Sequence, residues 1–497
     1  MTRFKKAAAV IIAALITLLS SAGCNDTYQD AIIYFEIPER PSTLDPQTAS
    51  TDSELAVIAN IYEGLLRKNA SGAIVCGLCE SFSVDGLTYT FKLRDDAVWS
   101  NEEPVTSADF LFAFRRAVSP QTKAPFVSRL FSIQNAQDIY NGKASVDTLG
   151  VSAPDDTTLI IKLAYADEDF EETLTTSIAM PCNEKFFTES AGKYGLTAEH
   201  TLSCGSYELT KWNRESKTFG IRLYANDLYT GTFTAKNSAV YITKDEEETA
   251  MQRLSDNNVD IAFIDSSLSG TAEQSGLKTV NYQNICWFLT ISSEFSQNMR
   301  KAFGMLTGGE VYGANLPSGY TVATSVFPSE IYENADSSGM TPYDLQNGKK
   351  LFSSETDKLE DKKFPSGVKL YYYDSSEIKP VVTDIVGHWQ NNLGAFVNIE
   401  ASDNYETMIS ELKEQTLTMA IFPLRAGSGN TAEYLANFGI DYKGGSLSEI
   451  QSQILKSNNI YPIAFQNTTI AYSKALNDVF TNPGNGYIDF SFIVKTE

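Results

Sequence analysis

The chain has 497 residues, of which 42% are apolar and 20% charged, so it is long enough to bury two or three hydrophobic cores and is not expected to be disordered. Its formal net charge is −23, from 39 Lys and Arg against 62 Asp and Glu. Because nucleic-acid binding requires basic groups that neutralise phosphates, so acidic a chain is not expected to bind DNA or RNA.

The first 23 residues predict a secretory signal peptide. A basic start precedes an apolar run over residues 7–19, and these 13 residues are too few to cross a bilayer comfortably. Small residues then stand before Cys24, an arrangement that resembles a bacterial lipobox and predicts cleavage that leaves Cys24 as a lipid-modified N-terminus. Residues 24–30 would form a polar tether. The alternative is a plain signal peptide with an incidental cysteine.

The first half of the mature chain mixes strands and helices. Residues 31–37 predict a strand, and residues 53–66 predict an amphipathic helix. Hairpins and helices alternate over residues 74–175. Residues 205–229 are rich in strand-forming residues, and residues 248–264 predict a helix followed by a strand.

A hairpin followed by a capped helix is predicted between residues 81 and 118. The pair Asp85-Gly86 suits the positive φ angles of a tight turn, and apolar and polar residues alternate after it. Thr106 and Asp109 form a carboxylate variant of the capping box, which predicts a helix that ends near Ser119. These features predict structure and no chemistry.

Besides Cys24 there are five cysteines, an odd number, so at least one is expected to stay unpaired within the monomer. Cys76 and Cys79 have thioredoxin-like spacing, but they precede a hairpin, which favours buried residues or a local bridge over redox chemistry. Cys182 and Cys204 could be bridged, although spacing alone does not establish this. With two histidines in the chain, a Cys/His metal site is not expected, and no cofactor is predicted.

The second half has the rhythm of an α/β domain with a parallel sheet and right-handed crossovers. Strands are predicted over residues 368–373, 396–399 and 417–424. Helices are predicted between them, over residues 381–393, ending near Gly394, and over residues 405–414.

Several motifs together point to one family. The stretch DGLTYTFKLRDDAVWSNEEPVTSADF, at residues 85–110, resembles the signature region of the extracytoplasmic solute-binding proteins of peptide ABC transporters, the oligopeptide- and dipeptide-binding family. The stretches PSTLDPQTASTDSELAVIANIYEGLL and CGSYELTKW are similar to the same family. The resemblance covers most of residues 40–305.

The resemblance implies a two-lobed, hinge-closing α/β fold of the class II periplasmic-binding-protein type. An extra subdomain would lie in the N-terminal lobe, and two crossings near Tyr282 and Ala464 would form the hinge. The expected parts are lobe I from residues 31–73, 176–282 and 464–497, the extra subdomain from residues 74–175, and lobe II from residues 283–463.

The resemblance also implies ligand-binding residues. Ser50, Thr51 and Asp52 would offer backbone strand pairing to an extended ligand in the first lobe. Phe126 would cover the ligand. Trp287 and Phe288, directly after the hinge, could line the cleft. For each of these aromatic residues the alternative is packing in a core.

The segment after the third strand of lobe II departs from the family. Family members carry a Trp followed by Asp-Tyr there, and the Asp receives the free amine of the peptide, whereas residues 422–430 contain neither Asp nor Trp. A buried ammonium without a carboxylate partner is costly, and Arg425 reverses the local charge. The departure favours an anionic or N-blocked ligand, or capture of the amine by Asp52 or Glu433. Gly427 and Tyr434 are further candidate contacts in this segment.

The function implied is that of a lipid-anchored substrate-binding component of an ABC importer on the extracytoplasmic face of a bacterial membrane. As a monomer, it would capture a short peptide or similar small solute and deliver it to a permease with a cytoplasmic ATPase. Catalytic residues are not expected. One alternative is a surface sensor or adhesion lipoprotein that has lost transport. A remote alternative is a secreted hydrolase, which would need two carboxylates about 5 to 10 Å apart in the cleft.

Overall fold

The computed structural model describes residues 31–497 except 215–219, 244–248, 330, 333–334, 375–376, 403, 405–406, 409–410, 412–416, 427–430, 441, 483–486 and 497, and except the side chains of residues 432, 433 and 487. The predicted signal peptide, the tether, Cys24 and Gly427 lie outside these described residues, as does most of the helix predicted over residues 405–414. The side chain of Glu433 lies outside them too.

Strands form the sheets of both lobes. In chain order they are β1 (Ile32–Ile37), β2 (Leu66–Lys68), β3 (Ile74–Cys76), β4 (Cys79–Asp85), β5 (Thr88–Leu93), β6 (Val151–Asp155), β7 (Thr158–Lys162), β8 (Tyr207–Asn213), β9 (Gly220–Ala225), β10 (Ser238–Thr243), β11 (Ile261–Ile264), β12 (Lys278–Ile291), β13 (Tyr320–Val322), β14 (Lys369–Tyr373), β15 (Asn398–Ser402), β16 (Met419–Arg425), β17 (Ile460–Tyr472), β18 (Leu476–Asn477), β19 (Thr481–Asn482), β20 (Tyr487–Ile488) and β21 (Val494–Lys495).

Helices cover the strands and connect them. In chain order they are α1 (Asp52–Ile61), α2 (Ser107–Val118), α3 (Ala136–Tyr140), α4 (Phe170–Thr173), α5 (Glu184–Glu189), α6 (Ala250–Ser255), α7 (Ser269–Gln274), α8 (Gln297–Met305), α9 (Gly309–Tyr312), α10 (Leu345–Thr356), α11 (Lys379–Leu393), α12 (Thr431–Ala436) and α13 (Leu447–Lys456). Within the described part of the chain, none of these helices combines the length and apolar character that a membrane span requires.

One large sheet runs through both lobes. Its strand order is β15-β14-β16-β12-β17-β11-β1-β10-β9-β8, and β13 pairs with β17 outside this path. The long antiparallel strands β12 and β17 carry the chain between the lobes. On β17 the residue that faces Tyr282 is Thr468, whereas Ala464 pairs with Trp287 inside the second lobe. The lobe boundaries near Tyr282 and Ala464 remain a prediction.

A bulge marks the crossing between the lobes. The register of β12 against β17 shifts between Gln283 and Ile285, which leaves Asn284 as an extra, fully buried residue. The Asn284 carbonyl accepts a hydrogen bond from the Ala426 N–H at 2.7 Å, and its side chain accepts one from Thr468 Oγ1 at 2.9 Å. A bulge of this kind bends a strand and increases its twist locally.

The extra subdomain contains the elements predicted from its sequence. Strands β4, β5, β7 and β6 form a separate antiparallel sheet, and Gly86 turns the β4–β5 hairpin with φ of 59°. Helix α2 begins after Thr106, where the capping box with Asp109 is formed, and ends at Ser119. Cys76 and Cys79 form a local disulfide with their Cα atoms 5.2 Å apart.

The other cysteines are buried thiols in the described structure. Cys182 and Cys204 are not bridged to each other, so the disulfide left open by the sequence is not formed. Burial raises the pKa of the Cys182 thiol to about 12, even though the Arg116 guanidinium lies 3.2 Å from its sulfur. Burial likewise raises the pKa of Cys286 well above its usual value. Thiols held neutral in this way are poor nucleophiles, which makes a redox role unfavourable.

Several predicted boundaries in the regular structure shift by two or more residues, including the starts of α11 at Lys379 and of β16 at Met419. Helix α1 ends at Ile61 instead of residue 66, because residues beyond Tyr62 enter strand β2. The strand predicted over residues 396–399 begins two residues later, and Phe396 is left 66% exposed ahead of it. The parallel pairing predicted for lobe II is confirmed, since β14 pairs in parallel with both β15 and β16.

Candidate functional site between the lobes

The carboxyl ends of the parallel strands of both lobes meet in one crevice. In lobe I, β1 runs parallel to β10 and β11, and helix α1 begins at the Asp52 end, after the carboxyl end of β1. In lobe II, β16 ends at Arg425 beside the parallel strand β14. Open α/β sheets bind ligands outside the carboxyl ends of their strands, so this crevice is the candidate binding site.

The lobe I rim of the crevice is the first turn of α1. Thr51 is its N-cap, and the buried Glu54 carboxylate accepts hydrogen bonds from the Ser50 and Thr51 N–H groups at 2.8 and 3.2 Å. The Thr51 carbonyl accepts the N–H of Leu55. Residues 50–52 therefore form the cap and the first residue of the helix, and their backbone pairing with an extended ligand remains a prediction. Whether their side chains contact a ligand stays a prediction.

An ion pair between Asp52 and Arg425 joins the lobes across this crevice. The Arg425 Nη1 donates to the Asp52 carboxylate, and the two side chains are 42% and 20% exposed respectively. Arg425 also pairs with Ile285 in the sheet, next to the bulge of the hinge strand. Asp52 and Arg425, both predicted as ligand-binding residues, are thus brought together. The negative charge of Asp52 and the positive charge of Arg425 compensate each other.

A second contact between the lobes joins two carboxyl groups. Asp265 follows β11 in lobe I, and Glu377 lies between β14 and α11 in lobe II. The Tyr320 hydroxyl donates to Glu377 Oε2 at 2.9 Å. Burial and the hydrogen bond with Asp265 raise the pKa of Glu377 to about 7, whereas the hydrogen bonds that Asp265 accepts from Glu377 and Ser267 outweigh its burial and lower its pKa.

The Glu377 and Asp265 carboxyl groups share one proton through their hydrogen bond. Glu377 donates it and Asp265 accepts it, as expected when two carboxyl groups lie too close to ionise together. Carboxyl pairs of glycosidases stand about 5 to 10 Å apart to leave room for a sugar or a water, so the direct hydrogen bond does not match that geometry.

The proton on Glu377 predicts a measurable pH dependence. Between about pH 4.5 and 7 the folded protein holds this proton while the unfolded chain has released it, so the free energy of unfolding falls as pH rises through this window. Gln at this position mimics the protonated acid. Glu377→Gln should match the wild type near pH 5 and exceed it at pH 8 by about 1 kcal/mol, a figure reduced for the half-exposed position.

Denaturant titrations at pH 5 and pH 8 check this prediction. Glu80→Gln, which alters an exposed glutamate of β4, is the matched control and should show the same difference from wild type at both pH values. A pH-independent difference between Glu377→Gln and wild type would show that the shared proton does not contribute to stability.

A third contact joins the extra subdomain to lobe II. The Tyr165 hydroxyl donates to the Tyr442 carbonyl at 3.3 Å. Helix α12 also lies against the short turn Val127–Leu130. Phe126, at the start of that turn, is half-buried with the Arg129 guanidinium 4.5 Å from its ring centre. Phe126 is therefore near lobe II, and its contact with a ligand stays a prediction.

Three aromatic residues predicted as ligand contacts lie in cores. Trp287 is 2% exposed and Phe288 is fully buried, on opposite faces of β12 in two different lobe II cores. Tyr434 is 1% exposed and donates to the Val326 carbonyl at 2.6 Å. Trp287 and Phe288 are buried because β12 lies between β16 and β17 and residues 285–289 are covered on both faces of the sheet, which contradicts their predicted place in the cleft, as the burial of Tyr434 does for that residue.

Sequence reasoning missed Asp265, Glu377 and the Tyr165–Tyr442 contact. A usable signal was present for the two carboxyl residues, since each closely follows a predicted strand and open α/β sheets bind ligands outside the carboxyl ends of their strands. No local signal marks Tyr165, because its partner lies 277 residues away in the chain.

Comparison with known proteins shows similarity to one family. Residues 73–446, about three quarters of the chain, match the profile of the family described as bacterial extracellular solute-binding proteins, family 5 Middle. The chain is 30% identical over 234 residues to a dipeptide-binding protein of Lactococcus lactis, a match that covers 46% of this chain and 42% of that protein.

Two further similarities extend the comparison. The periplasmic murein peptide-binding protein MppA of Escherichia coli is 39% identical over 176 residues, which cover 35% of this chain and 32% of that protein. The chain thus matches less than half the length of either curated relative. The structure of Listeria monocytogenes OppA bound to peptide has a TM-score of 0.73 and 19% identity, covers 94% of this chain and 100% of that chain, and shows the shared two-lobed fold. The chain belongs to the family 5 bacterial extracellular solute-binding proteins.

Proposed function

We propose that the protein is the extracytoplasmic, lipid-anchored substrate-binding component of an ABC importer, which closes its lobes over a short peptide or a similar small solute. A permease with a cytoplasmic ATPase would receive the solute. The observation that carries this proposal is the crevice between the carboxyl edges of two lobes, with the chain passing between them along the paired strands β12 and β17. The names of the Lactococcus and Escherichia coli relatives, which bind a dipeptide and murein peptides, support a peptide as the solute.

In this proposal the protein captures its solute by closing the two lobes over it. Bending at the Asn284 bulge moves the two halves of the sheet together and brings Asp52 against Arg425 and Asp265 against Glu377. A ligand shifts the protein toward the closed form only by the free energy with which it binds that form more tightly than the open form. Contacts made from both rims at once provide this difference, because they exist only when the lobes are closed.

Thermal-shift measurements on the mature chain test the proposal. Residues 25–497 are purified and mixed with pools of peptides of two to five residues, with single amino acids as the comparison. A peptide at 100 times its Kd should stabilise the protein by about 2.7 kcal/mol and raise the melting temperature. If no peptide pool raises it, the assignment of a peptide ligand is wrong.

Lipid anchoring is tested separately from binding. The full-length chain and its Cys24→Ser variant are expressed in a bacterium, and the membrane and soluble fractions are compared. Wild type should be recovered with the membrane, and a larger share of Cys24→Ser should be recovered in the soluble fraction, because serine has no thiol to carry the lipid. Equal distribution of the two proteins would argue for the plain signal peptide.

A further inference from the structure

The ion pair across the crevice has a consequence for the charge of the ligand. Asp52 occupies the first position of α1, where the positive end of the helix dipole already favours an anion. The Arg425 guanidinium then donates to the same carboxylate from the opposite lobe. Asp52 is therefore compensated twice within the protein, and it does not need a cation from a ligand.

Arg425 cannot withdraw far while the lobes are closed. Its backbone pairs with Ile285 on the central strand β12, and the next residue, Ala426, donates its N–H to Asn284 at 2.7 Å. Both partners belong to the bent segment of the hinge. Since the base of the side chain is held by the sheet, the guanidinium stays within reach of Asp52 whenever α1 approaches β16.

A ligand ammonium that enters this part of the crevice would meet a resident cation. It could reach the Asp52 carboxylate only by displacing Arg425, and the displaced guanidinium would remain nearby as a like charge. A neutral amide or an acidic group would face no such competition. The 42% exposure of the Arg425 side chain means that a ligand at this rim can contact it.

We propose that Arg425 is a specificity-determining residue, which occupies the Asp52 carboxylate and so selects solutes whose end nearest Asp52 carries no positive charge. This inference rests on the proposed function, and it specifies the class of peptide: N-blocked peptides, or peptides with a neutral or acidic end at this rim, in preference to peptides with a free amine.

Matched peptide pairs test the inference. Peptides that stabilise the wild type are prepared with a free amine and with an N-acetyl group, and their affinities are measured by calorimetry at pH 7. Wild type should bind the acetylated form at least about tenfold more tightly, which corresponds to about 1.4 kcal/mol. Arg425→Gln frees Asp52 for the ligand amine, so it should bind the free-amine peptide about tenfold more tightly than wild type does.

Three further variants isolate the charge pair. Arg425→Lys keeps the cation and should keep the wild-type preference. The double variant Asp52→Asn with Arg425→Gln should lose the gain for free amines, because the carboxylate is gone. Lys369→Gln removes a different lobe II cation, whose exposed partner is Glu400, and should leave the preference unchanged.

The pH profile of the wild type supplies an independent measurement. A peptide amine loses its charge above about pH 8, so the free-amine peptide should approach the affinity of its acetylated form as pH rises to about 9.5. The acetylated peptide serves as the reference at each pH value.

The possible failures are distinguishable. If peptides bind but the ratio of acetylated to free-amine affinity is the same in wild type and in Arg425→Gln, the specificity role of Arg425 is overturned and the proposed function stands. If wild type binds free-amine peptides more tightly than acetylated ones, the specificity role of Arg425 is likewise overturned and the proposed function stands. If neither form of any peptide binds to wild type or to a variant, the proposed function fails and this inference fails with it.

Discussion

Replacement of Arg253 by alanine is expected to lower the free energy of unfolding by about 3 to 5 kcal/mol. Arg253 of α6 donates from Nε and Nη2 to the two oxygens of Glu36, each at 2.6 Å. The two side chains are 7% and 5% exposed, and Glu36 lies on β1 in the middle of the lobe I sheet. Without the guanidinium, a carboxylate would remain buried in the sheet with its main countercharge removed.

Denaturant titration measures this loss, and two further variants control it. Lys185→Ala breaks the exposed pair with Glu103 and should lower the free energy of unfolding far less than Arg253→Ala does, because solvent screens an exposed pair. Glu36→Leu combined with Arg253→Met replaces both charges by apolar side chains and should recover most of the stability. A loss below about 1 kcal/mol for Arg253→Ala would contradict the inferred role of the buried pair.

Trp389→Ala is expected to destabilise lobe II by about 3 to 5 kcal/mol. Trp389 of α11 is fully buried, and its ring centre lies 4.8 Å from that of Phe303 in an edge-on arrangement. Its indole N–H donates to Thr307 Oγ1 at 3.1 Å. Alanine would therefore leave a large cavity between α11 and α8. It would also remove the indole N–H whose hydrogen bond the Thr307 hydroxyl accepts.

Thermal and denaturant unfolding, followed by the fluorescence of the remaining tryptophans, measure the effect. Phe396→Ala is the matched control, because it removes an aromatic ring from the same lobe at a position that is 66% exposed, and a change within about 0.5 kcal/mol is expected. If Trp389→Ala and Phe396→Ala had equal effects, burial at the α11–α8 contact would not be what stabilises lobe II.

The two stability predictions also bear on the functional ones. Arg253 and Trp389 lie in the separate cores of lobes I and II, whereas Arg425 and Glu377 lie where the lobes meet. Substitutions in a core should therefore change unfolding, while substitutions at the crevice should change ligand preference or pH response with much smaller losses of stability. This separation lets a binding defect be distinguished from a folding defect in the same set of assays.

The sequence by itself determined the elements whose causes are local. The β4–β5 hairpin depends on Gly86, and the start of α2 depends on Thr106 and Asp109, which are three residues apart. The alternation of β-α-β units in residues 368–424 was enough to predict a parallel sheet in lobe II, and the combined motifs were enough to identify the family. Signals of this kind act within a few residues, so they can be read without the fold.

Only the tertiary structure decided which residues meet in the crevice. Asp52 and Arg425 were both named from the sequence, but they are 373 positions apart, and their pairing follows from the way β12 and β17 carry the chain between the lobes. Trp287 and Phe288 lie in cores because β12 is covered on both faces, and its sequence is equally compatible with a cleft wall. The path of the chain between the lobes decides which distant residues come into contact. The packing of other elements against a strand decides which of its faces are buried, and neither leaves a local pattern in the sequence.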